Sequence, residues 1–162
     1  MGIDLFCLPD FCHNQIIMYW HASCAARQHQ PGADALLLLG PAGAGKSEMV
    51  LRLIDRGFAL VADDQVRIEA GMASPPEALA GMLEVRGLGL FRLPYIAPAK
   101  LRLVVLLSHE PAERLPSPRQ HATLCLPEIR LDPNSPSAVA RLALALEAAC
   151  GRLTPLAGAF AA

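Results

Sequence analysis

The sequence lacks the features that would place it in a membrane or on a nucleic acid. Its 162 residues carry a net charge of −1 with both signs scattered, so it has no basic footprint for either partner. Its apolar runs, such as 33–39 and 103–107, are far shorter than the roughly 20 residues of a membrane-spanning helix. Lysine and arginine are absent before Arg27, which argues against a secretory signal. We therefore expect a cytoplasmic protein whose partners include neither a membrane nor a nucleic acid.

Cysteine is sparse and offers no framework for disulfides or for a metal site. The five cysteines are odd in number and irregularly spaced, which indicates reduced thiols. His21 and Cys24 could ligate zinc in principle, but no second pair at ligand spacing accompanies them, and packing is the better explanation. With 53% hydrophobic residues, a chain of this length can bury a core without crosslinks.

The first half of the chain shows a strand, a helix and a second strand in succession. Residues 1–17 have no clear period and are predicted to be an extension of uncertain order. The run 35–39 predicts a strand buried on both faces, and 58–62 predicts another. Between them, 47–56 predicts a helix with one apolar face, and Gly57 stands where such a helix would end.

The second half predicts further strands and a final helix. Strands are predicted at 83–86, at 101–107 and within 123–131. The helix is predicted over 136–150 with Ser135 as its cap, and its nearly continuous apolar surface predicts burial in the core or at a subunit interface. The succession of elements indicates an α/β domain with a mixed sheet.

The octapeptide GPAGAGKS, directly after the first strand, fits a phosphate-binding loop. It matches G-x-x-x-x-G-K-[ST], in which small residues let the backbone approach phosphate closely. Amides at the start of the next helix point at the anion, while Lys46 can reach the terminal phosphates and Ser47 can hold Mg²⁺. Because the loop lies between a buried strand and an amphipathic helix, a plain glycine turn is a poor alternative. The predicted nucleotide-binding residues are Gly40, Pro41, Ala42, Gly43, Ala44, Gly45, Lys46 and Ser47.

Two further polar pairs follow the loop. Asp63 and Asp64 come directly after the second apolar strand, so we expect them at a strand's carboxyl end near the phosphate loop. Adjacent side chains on an extended chain point in opposite directions, so one carboxylate can face a metal and the other a different group. Glu84 and Arg86 in LEVRGLG lie two apart and so share a face, although a surface ion pair would explain them equally well.

The segments GPAGAGKS, RGFALVADD and LEVRGLG, in this order, resemble the catalytic domain of HPr kinase/phosphorylase, the bacterial enzyme that acts on the phosphocarrier protein HPr. The resemblance covers roughly residues 18–150 and leaves 151–162 as a C-terminal tail. It is to the short proteobacterial form, which lacks the N-terminal domain of the longer enzymes. It implies a P-loop-containing α/β fold akin to phosphoenolpyruvate carboxykinase, with a mixed sheet, and assembly into a homo-oligomer, a hexamer.

The resemblance also implies a reaction and the residues that perform it. The reaction is ATP- and Mg²⁺-dependent phosphorylation of a serine of HPr, with the reverse phosphorylase reaction as a further option. Asp63 matches the family's general base, His21 matches a histidine near the transferred phosphate, and Arg86 lies in the family's signature segment. Asp64 and Glu84 match residues associated with the metal. The implied catalytic residues are Asp63, Lys46, His21 and Arg86, and the implied metal ligands are Ser47, Asp64 and Glu84.

Two other functions stay open. A small-metabolite kinase would need an arginine-rich lid, but the candidates Arg114 and Arg119 flank a proline-rich stretch typical of an exposed loop. A nucleotide-sensing protein with little turnover is the second alternative. Segment 131–139, where the longer enzymes have an arginine- and glycine-containing loop, contains no arginine. The intact set of Lys46 and the acidic residues favours catalysis, since sensing alone does not require a base.

Overall fold

The computed structural model describes residues 16–162, so the extension predicted over 1–17 lies almost wholly outside the described part. An eight-stranded mixed sheet, a two-stranded hairpin and two helices make up the framework. The elements are β1 (Met18–His21), β2 (Ser23–Gln28), β3 (Ala33–Leu39), α1 (Lys46–Asp55), β4 (Ala59–Ala62), β5 (Gln65–Glu69), β6 (Met72–Ser74), β7 (Met82–Val85), β8 (Gly89–Arg92), β9 (Ala99–Leu107), β10 (Glu128–Leu131) and α2 (Ala138–Ala149). The helices found over 16–162 are too short or too polar to cross a membrane.

The strand order of the large sheet places the carboxyl ends of β3 and β4 at one edge. The order is β1-β5-β6-β9-β3-β2-β4, with β10 beside β9. Strand β3 pairs in parallel with β9, and β9 with β10, while the other pairs are antiparallel. Since β3 and β4 are both antiparallel to β2, they run in the same direction and their carboxyl ends meet at one edge. The predicted mixed α/β sheet is confirmed.

A long antiparallel ribbon, formed by residues 18–28 and 59–69, bends in the middle. The pair β1–β5 makes one half and the pair β2–β4 the other. The halves join at Ala22 on one chain and at Asp63 and Asp64 on the other, where the Ala22 amide donates to the Asp64 carbonyl at 3.2 Å. Asp64 adopts φ 67°, a left-handed conformation that aspartate tolerates better than most residues. Because the two halves stand near opposite ends of the strand order, the sheet curls until those ends meet.

The curled sheet is packed on both faces, which explains the leucine run of β3. Leu36 and Leu38 pack in a core that includes Met49 of α1 and Leu142 of α2. Leu37 packs in a second core on the other face, where alanines predominate because little space remains inside the curl. Those alanines are Ala22, Ala26, Ala33, Ala35, Ala62, Ala73 and Ala99. The prediction of a strand buried on both faces is confirmed.

Helix α1 follows the sequence prediction closely. It buries Met49, Val50 and Leu53 completely, as the apolar face required. It ends at Asp55, and Gly57 follows with φ 86° and donates its amide to the carbonyl of Ile54 at 3.0 Å. A residue with a Cβ would be strained at this φ, so glycine fits the position.

The start of α2 differs from the prediction. The N-cap is Ser137 rather than Ser135, and its side chain makes no capping bond. Ser135 belongs to a preceding turn, in which its amide donates to the Asp132 carbonyl at 3.1 Å. Burial of the whole helix in the core is not found, since one face packs there while Leu144 is 63% exposed, and burial of the other face at a subunit interface stays a prediction. The turn between Asp132 and Ser135 therefore takes the residue that was predicted to cap the helix.

The buried carboxylate of Asp34, near the start of β3, connects the sheet to the segment that follows α2. Asp34, only 1% exposed, accepts hydrogen bonds from Arg102 Nε and Arg152 Nη1 at 2.8 Å each, and His29 Nε2 lies 2.8 Å away. Burial opposes ionisation, but the hydrogen bonds from Arg102, Arg152 and Cys150 outweigh it and hold the pKa of Asp34 well below its usual range. Residues after α2 are thereby anchored to the sheet.

Asp34→Asn should destabilise the fold by about 2 kcal/mol at pH 7, since it removes one buried partner while the cations stay partly hydrated. The folded-state pKa of Asp34 is depressed, so its contribution is complete above the unfolded pKa of about 3.9 and is lost as pH falls through the folded value. Urea unfolding of both proteins at pH 7 and at about pH 3 measures this. A gap between wild type and variant that does not narrow in acid would contradict the assignment.

Candidate active site

A cavity of about 430 Å³ lies beside the loop between β3 and α1. It lies at the edge where β3 and β4 end. Six of the predicted catalytic and metal-binding residues line it together: His21, Lys46, Ser47, Asp64, Glu84 and Arg86. They come from four separate stretches of the chain, so this convergence follows from the fold rather than from proximity in sequence.

The loop backbone is built for small residues. A Cβ on Gly40 would lie 2.9 Å from that of Ala44, a contact that real Cβ atoms essentially never make. Gly45 has φ 92°, and its carbonyl accepts the first bond of α1 from the Met49 amide at 2.9 Å. Close backbone approach and free amides at a helix start suit an anion such as phosphate.

Lys46 folds back over its own loop. Its Nζ donates to the carbonyls of Gly40 at 2.7 Å and Pro41 at 3.0 Å. Burial lowers the pKa of Lys46, and the nearby Asp63 and Asp64 only partly oppose that shift. The amine therefore lies at the loop and close to both carboxylates.

The Asp63 carboxylate is buried and fully engaged. It is 6% exposed, and its Oδ1 accepts a hydrogen bond from Ser23 Oγ at 2.5 Å. Ser47 Oγ lies 2.9 Å from both carboxylate oxygens. Asp63 does not line the cavity itself, but it contacts the hydroxyl of the phosphate-loop serine from behind.

The Asp64 carboxylate points the other way, into the cavity. Its side chain is 67% exposed, and Oδ1 lies 3.4 Å from His21 Nδ1. The same histidine nitrogen lies 3.1 Å from the Asp64 carbonyl oxygen, and this contact further stabilises the bend of the ribbon. The two aspartates therefore face opposite directions, as predicted from their adjacency. Which of them faces the solvent was not predicted.

The hairpin of β7 and β8 forms the opposite wall. Leu83 is buried in the core with α1, which leaves Glu84 exposed on the other side of the strand. Arg86 follows β7, and both residues line the cavity. Across 16–162 no ion pair joins them, so the simpler explanation, a surface salt bridge, does not hold.

The candidates for an arginine lid lie away from this cavity. Arg119 pairs with Glu113 at 3.5 Å in a long loop, and neither Arg119 nor Arg114 lines the cavity. The arginine that lines this cavity is Arg86, whereas Arg52 of α1 donates to the carbonyls of Pro133 at 2.6 Å and Ser135 at 3.3 Å.

Two contacts at the site were missed from the sequence. Ser23 is a small polar residue in an unremarked strand, and no motif marked it as the partner of Asp63. Arg52 reads as an ordinary exposed position of a surface helix, and only the fold brings it to the 133–135 backbone. The pair His21 and Cys24 also separates, since Cys24 is fully buried and burial raises the pKa of its thiol.

Comparison with known proteins identifies relatives of part of the chain. Residues 33–96 match the family described as HPr Serine kinase C-terminal domain. The HPr kinase/phosphorylase of Bordetella petrii is 44% identical over 97 residues, covering 50% of this chain and 32% of that protein. That of Clostridium tetani is 49% identical over 63 residues, covering 36% of this chain and 21% of that protein. The chain thus matches a third or less of the length of these relatives.

A solved structure shares the fold over a longer stretch. The Hpr(Ser) kinase/phosphatase from Coxiella burnetii superposes with a TM-score of 0.61 at 22% identity, covering 83% of this chain and 96% of the other. The shared fold therefore extends well beyond residues 33–96. Motif, matched segment and fold agree: residues 33–96 resemble the HPr serine kinase C-terminal domain, and the fold of that solved structure is shared over most of the chain.

Proposed function

We propose that the chain is an ATP- and Mg²⁺-dependent kinase that phosphorylates a serine of HPr. One observation carries the proposal: the phosphate loop, Lys46 and the acidic side chains of Asp64 and Glu84 line one cavity, while Asp63 contacts the hydroxyl of the loop's Ser47 from behind. The relatives are HPr kinase/phosphorylases, which supports HPr as the phosphate acceptor. Positioning and charge neutralisation would do most of the work in such a transfer.

The donor set fits Mg²⁺ better than a metal held by protein alone. The described residues contain no cluster of three or more His, Cys, Asp or Glu that could hold a metal ion. Mg²⁺ prefers oxygen ligands and usually combines one or two protein groups with phosphate oxygens and water. Ser47 and Glu84 line the cavity, and Asp63 orients the Ser47 hydroxyl. A bound Mg²⁺ would neutralise charge on the transferred phosphate.

The geometry favours exchanging the roles first given to the two aspartates. A general base must come within hydrogen-bond reach of the hydroxyl it deprotonates. Asp64 lines the cavity with an exposed carboxylate, whereas both Asp63 oxygens already accept hydrogen bonds in a buried position. We therefore assign Asp64 as the base and Asp63 as the residue that supports Ser47 and the metal. His21 would hold Asp64 in position.

Charged groups on the two walls would stabilise the transferring phosphoryl group. Lys46 lies on the loop side and Arg86 on the hairpin side of the same cavity. Fixed cations close to developing charge stabilise a transition state without reorganisation. A homo-oligomer is part of the proposal as well, and the exposed Leu88 and Leu90 of the hairpin offer apolar surface for an interface.

Incubation of the protein with HPr, Mg²⁺ and ATP should add one phosphoryl group to a serine of HPr. Mass spectrometry of intact HPr and of its peptides measures the modification and its position. The same reaction with a mixed pool of small metabolites in place of HPr is the control. Label appearing in a metabolite while HPr stays unmodified would overturn the proposal, and so would tight ATP binding without any turnover.

A further inference from the structure

A second cavity, of about 510 Å³, lies on the other side of the phosphate loop. It shares Gly43, Gly45 and Glu48 with the first cavity, so only the loop and the start of α1 separate the two. Its far wall is formed by His109 and Asn134, which come from the segments after β9 and β10. A ligand longer than a triphosphate can therefore contact the loop from both sides.

The far wall of this cavity is held in place from several directions. Arg52 donates to the Pro133 carbonyl at 2.6 Å and thereby ties the wall to α1. Asp132 Oδ1 accepts a hydrogen bond from His109 Nδ1 at 3.2 Å and another from the backbone N–H of Asn134 at 3.0 Å. Asp132 thus holds both the His109 ring and the backbone of Asn134, which lowers the entropy lost on binding.

The chemistry of the second cavity suits a purine base rather than phosphate. Lys46, Ser47, Asp64 and Glu84 line only the first cavity, and Arg52, which lines the second, donates its guanidinium hydrogen bonds to the Pro133 and Ser135 carbonyls. The second presents His109, whose ring offers a flat surface for stacking, and Asn134, whose amide carries a donor and an acceptor side by side. An asparagine amide can bond two edge atoms of adenine at once, and stacking on a ring does not require charge.

We propose that this second cavity is the nucleoside subsite, which takes the purine and ribose of the nucleotide whose phosphates lie in the first. The inference rests on the proposed kinase function. The reacting end of the nucleotide must lie beside Asp64 and Lys46, and the acceptor serine must also enter there. The nucleoside is left with the other side of the loop, where His109 and Asn134 lie.

Calorimetric titration with Mg·ATP and with Mg·tripolyphosphate, which has phosphates but no base, tests this subsite. His109→Ala and Asn134→Ala should each weaken ATP binding about tenfold, as expected for one lost stacking or hydrogen-bonding contact, and leave tripolyphosphate binding unchanged. Unchanged tripolyphosphate binding also shows that the variant is folded. Glu110→Ala is the matched control, because Glu110 adjoins His109 but pairs with Arg130 at 2.6 Å and does not line this cavity.

Three outcomes would overturn the subsite. Both variants could bind ATP as well as wild type does, or they could lose both ligands equally. Wild type could also bind tripolyphosphate as tightly as ATP, which would leave the base without a contribution while the phosphate site stands. If wild type binds neither ligand, the proposed kinase function fails together with the subsite, so the two failures are distinguishable.

Discussion

Asp64→Asn should lower the rate of HPr phosphorylation by a factor of about 10² to 10⁴, while ATP binding changes little. The carboxylate faces the cavity and has no second role in the loop, so its loss removes the base and leaves the phosphate cradle intact. Asparagine suits this position, because it tolerates the left-handed backbone that Asp64 adopts at φ 67°. Single-turnover transfer at saturating ATP, with separate measurement of ATP affinity, would show the effect.

Asp63→Asn is the matched control, since it makes the same chemical change one residue earlier. Here we expect the Mg²⁺ concentration for half-maximal activity to rise about 10- to 100-fold, because Asp63 supports the Ser47 hydroxyl. Activity should recover in part at high Mg²⁺. If Asp63→Asn instead abolished transfer at every Mg²⁺ concentration and Asp64→Asn had little effect, the first assignment of the base would be restored.

Lys46→Ala should reduce phosphoryl transfer by a factor of about 10² to 10³, as removal of a fixed charge-stabilising donor does in other enzymes. The amine lies at the loop, where it also bonds the carbonyls of Gly40 and Pro41. Lys46→Met keeps the buried stem and removes only the charge, so an equal loss in both variants attributes the effect to the amine. Initial rates over a range of ATP concentrations measure the change.

Lys100 provides the control for Lys46. It is exposed on β9, and it lines neither cavity of the phosphate loop. Lys100→Ala should therefore retain the full rate, and the unfolding midpoint of each variant verifies that the fold is preserved. Normal transfer by Lys46→Met would mean that the phosphates bind elsewhere.

Local patterns in the sequence predicted the parts of the fold that depend on near neighbours. The β3–α1 unit follows from an apolar run, a glycine-rich loop and a 3.6-residue period, and each was found within two residues of its prediction. The start of α2 was missed because Ser135 is committed to a turn with Asp132, which competes with capping. Such competition between two local preferences leaves no trace in a single sequence.

The assignment within the aspartate pair depended on distant residues. Alternation along a strand predicted that the side chains of Asp63 and Asp64 diverge, but it could not say which one is buried. Ser23, which lies 40 positions upstream in the chain, donates a hydrogen bond to Asp63 in the buried position. The curl of the sheet brings the two segments together, and nothing in the local pattern encodes it.

The bend of the ribbon makes the corner at Asp63 and Asp64 sensitive to chain length as well as to side-chain identity. On either side of it, side chains alternate between two packed interiors, so an inserted residue would invert every position as far as the next turn. The bond between Ala22 and the Asp64 carbonyl would also lose its register. Lengthening or shortening this segment by one residue should therefore disrupt the site, because it would separate the acidic pair from the loop it faces.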